Sequence, residues 1–145
     1  MSREERSSVI GIITSLLVNT YVAIRLVQMF GAGSFSGDDG VAVWAQTVFW
    51  AIPAAIIMTI VLSITFTLTD SERAHNNIVD ERDRKFQLRG MGTTLVGAAM
   101  GYVAMIVTLA FGGDTVIGLT IMYASIALGD LVGNIVRIAS YRIGG

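Results

Sequence analysis

Residues 69–90 read TDSERAHNNIVDERDRKFQLRG, the longest polar run in a chain that is otherwise apolar. Two pairs of apolar stretches flank it, at about 8–30 and 41–69 on one side and 90–112 and 115–138 on the other. A helix needs about 20 apolar residues, at 1.5 Å rise each, to cross a bilayer. Each stretch meets that length, so the expected fold is an all-α membrane protein, with four transmembrane helices in two helical hairpins joined by residues 70–89. The basic residues set its orientation. Of the 10 lysines and arginines, all but Arg25 fall before the first stretch, in the central run, or at the end of the fourth. The connections at 31–40 and 113–114 carry Asp38, Asp39 and Asp114 and no basic residue. This alternation predicts a multi-pass inner-membrane protein with both termini cytoplasmic.

Composition agrees with that reading. The chain has 145 residues, 53% of them hydrophobic and 14% charged, with a mean hydropathy of +0.66. Soluble domains carry about 25% charged residues, so one membrane domain spanning 1–145 is expected, with no separate soluble domain. Cysteine is absent and histidine occurs once, at His75, so neither thiolate chemistry nor a histidine or cysteine metal cluster is expected. The first stretch is longer than a signal-peptide core and contains Arg25, so an uncleaved first span is expected.

Turn residues place the hairpins. The Gly/Ser/Asp composition of 31–40 predicts a flexible loop, and Gly112-Gly113-Asp114 a tighter one. Trp44 and Trp50 enter the second span from the acidic side, where an aromatic belt is expected, and Pro53 should kink that span. Gly97 and Gly101 in the third span, and Gly129 and Gly133 in the fourth, are GxxxG pairs that let helices approach closely. Packing within one bundle is the first reading of these glycines and a homodimer seam the second. Tyr21-Val22-Ala23 and Phe30-Gly31 match Tyr102-Val103-Ala104 and Phe111-Gly112 at a constant offset of 81 residues. The match reads either as a duplicated hairpin or as chance similarity between two apolar segments.

Ionisable groups inside spans are costly and mark sites to examine. Arg25 lies about 5 residues from the acidic end of its span and Asp130 about 15 from the acidic end of the fourth, roughly 15 Å apart along the membrane normal. Arg25 is expected to snorkel outward to Asp38, Asp39 or Asp114. Asp130 shares a helix face with Asn134 and Arg137, which could reach back to the carboxylate. Ser15, Asn19 and Ser63 lie at comparable depth. A polar clasp that sets helix register and a proton- or cation-coupling carboxylate both fit.

The central run is the remaining polar surface. From Asp80 it is helical in pattern, with Asp80/Arg84 and Glu81/Lys85 as i,i+4 pairs, so the third helix should start before the membrane. Its bases suit anionic membrane lipids, and Asp80, Glu81, Arg82, Asp83, Arg84, Lys85 and Arg89 form a candidate surface for a protein partner. The run Asp80-Glu81-Arg82-Asp83-Arg84-Lys85, followed by a span opening on small residues, resembles a family of small prokaryotic four-helix membrane proteins of unknown function with a DERD-type motif before the third span. Phe86-Gln87-Leu88-Arg89 departs from the alternating isoleucine/lysine continuation of that family. Some of its members look as if encoded beside helix-turn-helix regulators, and the resemblance implies a membrane-anchored partner of such a transcription regulator.

No nucleophile–base pair, HExxH motif or phosphate-binding glycine loop is present, so no enzyme activity, catalytic residue, cofactor or bound metal is expected. No direct nucleic-acid binding is expected either. The leading function is binding or regulation through the cytoplasmic run. The alternatives are an accessory subunit of a larger membrane complex and a small homodimeric proton- or cation-coupled transporter.

Overall fold

The computed structural model describes residues 3–69 and 81–143, with side chains described over 6–66 and 84–143. It contains α1 (Arg3–Gly31), α2 (Gly40–Phe49), α3 (Ala51–Thr69), α4 (Glu81–Ala110) and α5 (Thr115–Ile143), and no strand among the described residues. Four helical passages are long and apolar enough to cross a membrane: Arg6–Gly31, Gly40–Phe66, Arg84–Ala110 and Thr115–Ile143. Two helices make up the second passage because Pro53 cannot donate a backbone hydrogen bond to Phe49. Trp50 is the break point, and the bond from Ala54 N to Trp50 O just beyond it is stretched to 3.4 Å.

The helices lie as an open row rather than a closed bundle. α4 packs on α5, α5 on α1, and α1 on α3, while α2 touches α1, α3 and α5. One end of the row collects the start of α1 and the end of α3, where Arg6 Nη1 donates to Phe66 O at 3.4 Å. The start of α4 and the end of α5 meet at the same end, Phe86 standing edge-on to Tyr141 at 5.1 Å. This is the basic end. The opposite, acidic end carries the two connections, where Phe30, Gly33, Phe35, Ser36, Asp114 and Ile117 line a shallow cleft.

Both acidic-end turns follow from their residues. Gly112 adopts φ +73°, a left-handed conformation natural to glycine, and Gly113 N closes the turn on Thr108 O at 2.8 Å. Asp114 then caps α5, its Oδ1 accepting from Val116 N at 2.7 Å and Ile117 N at 3.2 Å, as a helix start requires. Across the longer connection, Phe35 folds back under Phe30 and is buried.

α5 has two working flanks. Toward α4 it presents Gly118, Ser125, Gly129 and Gly133; a Cβ on Gly97 would lie 2.7 Å from the Gly129 Cα, and one on Gly133 2.6 Å from Gly90 O. The backbones are therefore in contact, as small residues allow in lipid. Thr94 adds a shared hydroxyl bond to Gly90 O at 3.3 Å and Gly129 O at 3.4 Å. Toward α1 and α2 the flank is mixed. Val22, Leu26, Phe35, Trp44, Ala51 and Val116 form the apolar cluster near the acidic end, and polar side chains follow toward the basic end.

The residues related by the 81-residue offset do not occupy equivalent places. Val22 is fully buried, whereas Val103 is 58% exposed. A Cβ on Gly11 would strike Asn134, whereas one on Gly92 would meet nothing within 4 Å.

Candidate functional site at the α1–α5 seam

α1 and α5 run antiparallel in a register set by Gly11 beside Asn134 and Asn19 beside Tyr123. Along this seam α1 contributes Ser8, Ser15 and Asn19 at spacings of seven and four, which return to one helix face. α5 contributes Tyr123, Asp130 and Asn134 on the same geometric grounds. Ser8, Ser15 and Asn134 are buried, unusual for polar groups unless they are bonded.

The bonds form two groups. Tyr123 Oη donates to Asn19 Oδ1 at 2.7 Å, and Asn19 Nδ2 donates to Ser15 Oγ at 2.9 Å. Nearer the basic end, Asn134 Nδ2 donates to Asp130 O at 3.0 Å and, at 3.4 Å, to Asp130 Oδ1. Trp44 Nε1, donating to Thr120 Oγ1 at 3.0 Å, extends the polar line toward the acidic end. Hydroxyl, amide and carboxyl groups thus follow one another along most of the seam.

Trp44 departs from its expected place. It is 8% exposed and edge-on to Tyr123, because its indole N–H finds a hydroxyl inside the row instead of water at the membrane surface. Trp50, at 69% exposed, does face outward.

Asp130 is partly buried, about midway along α5. Four residues from Asn134, it is level with Ser15. Arg25 lies ten residues further along α1, about 15 Å away at helical rise, and the two do not pair. Arg25 is exposed on the outer face of α1. Among the described residues it makes no ion pair with Asp38, Asp39 or Asp114, and Asp114 uses its Oδ1 to cap α5. Arg137 does not reach Asp130 either. Its stem lies in the slot left by the absent side chain of Gly90, with Nε 3.3 Å from where a Cβ would sit. That Nε is buried and has no hydrogen-bond partner among the described residues. Ser63 lies on α3, which packs on α1 and α2.

At the basic end, Arg84, Lys85 and Arg89 are exposed, and the Arg89 guanidinium lies 5.9 Å from the Phe86 ring centroid, within cation–π range. Phe86 is buried. The side chains of Asp80, Glu81, Arg82 and Asp83, and the connection before them, lie outside the described residues, as do the Asp80/Arg84 and Glu81/Lys85 pairs. Among the described residues no three acidic or histidine side chains are grouped as a metal site requires.

The sequence reading left out Tyr123 and Thr120. Tyr123 and Thr120 fall on the Asp130 face of α5 by helical spacing, and that was the available signal. Comparison with protein-family models, with curated proteins and with solved structures finds no match.

Proposed function

We propose that this is a non-enzymatic inner-membrane protein that works by binding, with its basic end in the cytoplasm and the start of α4 offered to a cytoplasmic protein, for which a transcription regulator is a candidate. The observation that carries this reading is the construction of that start. Phe86 is buried against Tyr141 and holds exposed Arg84, Lys85 and Arg89 on a helix already packed on α5. Such an anchored cationic surface suits an acidic partner and the anionic lipids around it. The positive-inside distribution supports the orientation.

Reversing Arg82, Arg84 and Lys85 to glutamate should abolish co-purification of a cytoplasmic protein from native membranes while helix content is unchanged. Association that survives the triple reversal refutes the reading.

The open row favours a second reading, an accessory subunit of a larger membrane complex. Ile52, Ile56, Ile57, Ile60 and Ile64 on α3, and Leu95, Val96, Met100 and Val103 on α4, are all more than half exposed. Other spans could cover these faces. Extraction in mild detergent as a small, defined oligomer would count against it.

A further inference from the structure

We propose that the α1–α5 seam binds a small monovalent metal cation, a sodium ion, at Asp130 with Asn134 and Ser15. The argument starts from unused hydrogen-bonding capacity. Among the described residues, the Asp130 side chain has one partner, the Asn134 amide at 3.4 Å, where an ionised carboxylate can accept about four bonds. Asn134 spends its Nδ2 on Asp130, and its Oδ1 accepts nothing while facing the bare Cα of Gly11. Ser15 Oγ accepts from Asn19 and donates to no group. Oxygens with free lone pairs therefore fall within about one helical turn of each other along the seam, one of them on an acidic side chain.

Among the described residues no cationic side chain answers them. On α5 itself the nearest ionisable groups are Tyr123, bonded to Asn19, and Arg137, turned into the Gly90 slot. On α1 they are Tyr21, exposed on its surface, Arg6, at the basic end beside Phe66, and Arg25, ten residues toward the acidic end. α4 carries Tyr102, exposed on its surface, and Arg84, Lys85 and Arg89, all beyond Gly90 toward the basic end. α2 carries no ionisable residue. A lone carboxylate at this depth is costly and is relieved by an ion that prefers oxygen. A single carboxylate with neutral oxygens suits a monovalent ion, whereas calcium and magnesium sites draw on more anionic oxygen ligands.

The site is distinct from the basic end of α4, so its test is independent of the partner-binding reading. The full-length protein in nanodiscs of neutral lipid is treated with dicyclohexylcarbodiimide, which modifies protonated carboxyls in apolar surroundings, and the product is mapped by mass spectrometry. Thermal unfolding is followed in parallel against pH, and against sodium chloride replaced by choline chloride at fixed ionic strength. Modification at Asp130 that is suppressed by sodium but not by choline, with an unfolding midpoint that rises with sodium, is the expected result. Modification indifferent to sodium, with a midpoint that follows pH alone, overturns the proposal. In Asp130→Asn the dependence should vanish, since a ligand stabilises only the state that binds it. The proposal is overturned if Asp130 is unmodified at every pH and the midpoint ignores both variables, or if Asp130→Asn keeps the wild-type dependence. Should that variant not fold, labelling of the wild-type protein decides alone.

Discussion

Two glycines five residues apart on α4 should respond in opposite ways to the same added methyl group. A Cβ at position 97 would sit 2.7 Å from the Gly129 Cα and 3.1 Å from Ser125 O. Carbon atoms in good contact stand about 3.5–4.0 Å apart, so Gly97→Ala must drive α4 and α5 apart by about an ångström. Both obstructing groups are backbone and cannot rotate away. A gap of about 0.5–1 Å forfeits a quarter to a half of each contact along the seam, and overpacking of this kind costs about 1–3 kcal/mol. At position 92 a Cβ meets nothing within 4 Å, so Gly92→Ala keeps the packing and gains up to about 1 kcal/mol of helix propensity. The propensity gain is common to both substitutions, so the two variants should differ by the packing cost, about 1–3 kcal/mol. Equilibrium unfolding by SDS titration in mixed micelles, followed by circular dichroism, measures this directly. If Gly97→Ala proves at least as stable as Gly92→Ala, the backbone contact between α4 and α5 is not what holds them together.

Tyr123→Phe removes the 2.7 Å bond to Asn19 and should cost about 0.6–1.7 kcal/mol, the range for side-chain bonds between membrane helices. A double-mutant cycle with Asn19→Ala in the same titration should recover most of that as coupling. Pro53→Ala restores a donor for the Phe49 carbonyl and should join α2 and α3 into one straighter helix. Spin-label distances between cysteines introduced near residues 41 and 66, into a chain that has none of its own, should lengthen; an unchanged distance would place the cause of the break elsewhere.

Span number and helical class were legible because bilayer thickness acts directly on the length of an apolar run. The choice of neighbour was less legible. Gly97 and Gly129 each announce a face that tolerates close approach, but nothing local says that they oppose each other. Arg137 follows Asp130 and Asn134 by helical spacing, yet Gly90, 47 positions earlier, supplies the slot that draws it away. Trp44 looked like an interfacial residue because an indole suits any place where apolar surface meets a hydrogen-bond acceptor. Thr120, 76 positions away, supplied that acceptor inside the row. In each case the deciding group was distant in the chain, which is where pattern reading loses its hold.

The polar flank of α5 also bears on how the chain is made. Asn19 and Tyr123 stand 104 positions apart, which at about 5–20 residues per second is roughly 5–20 s of synthesis. For that interval α1 sits in or near the bilayer with Ser15 and Asn19 lacking the α5 side chains they will meet. α1 must be shielded by the insertion machinery, or it can be claimed by the finished α5 of a neighbouring chain. A lesion confined to α5 would therefore injure α1 as well, by leaving the first helix of the protein waiting for a partner that never arrives.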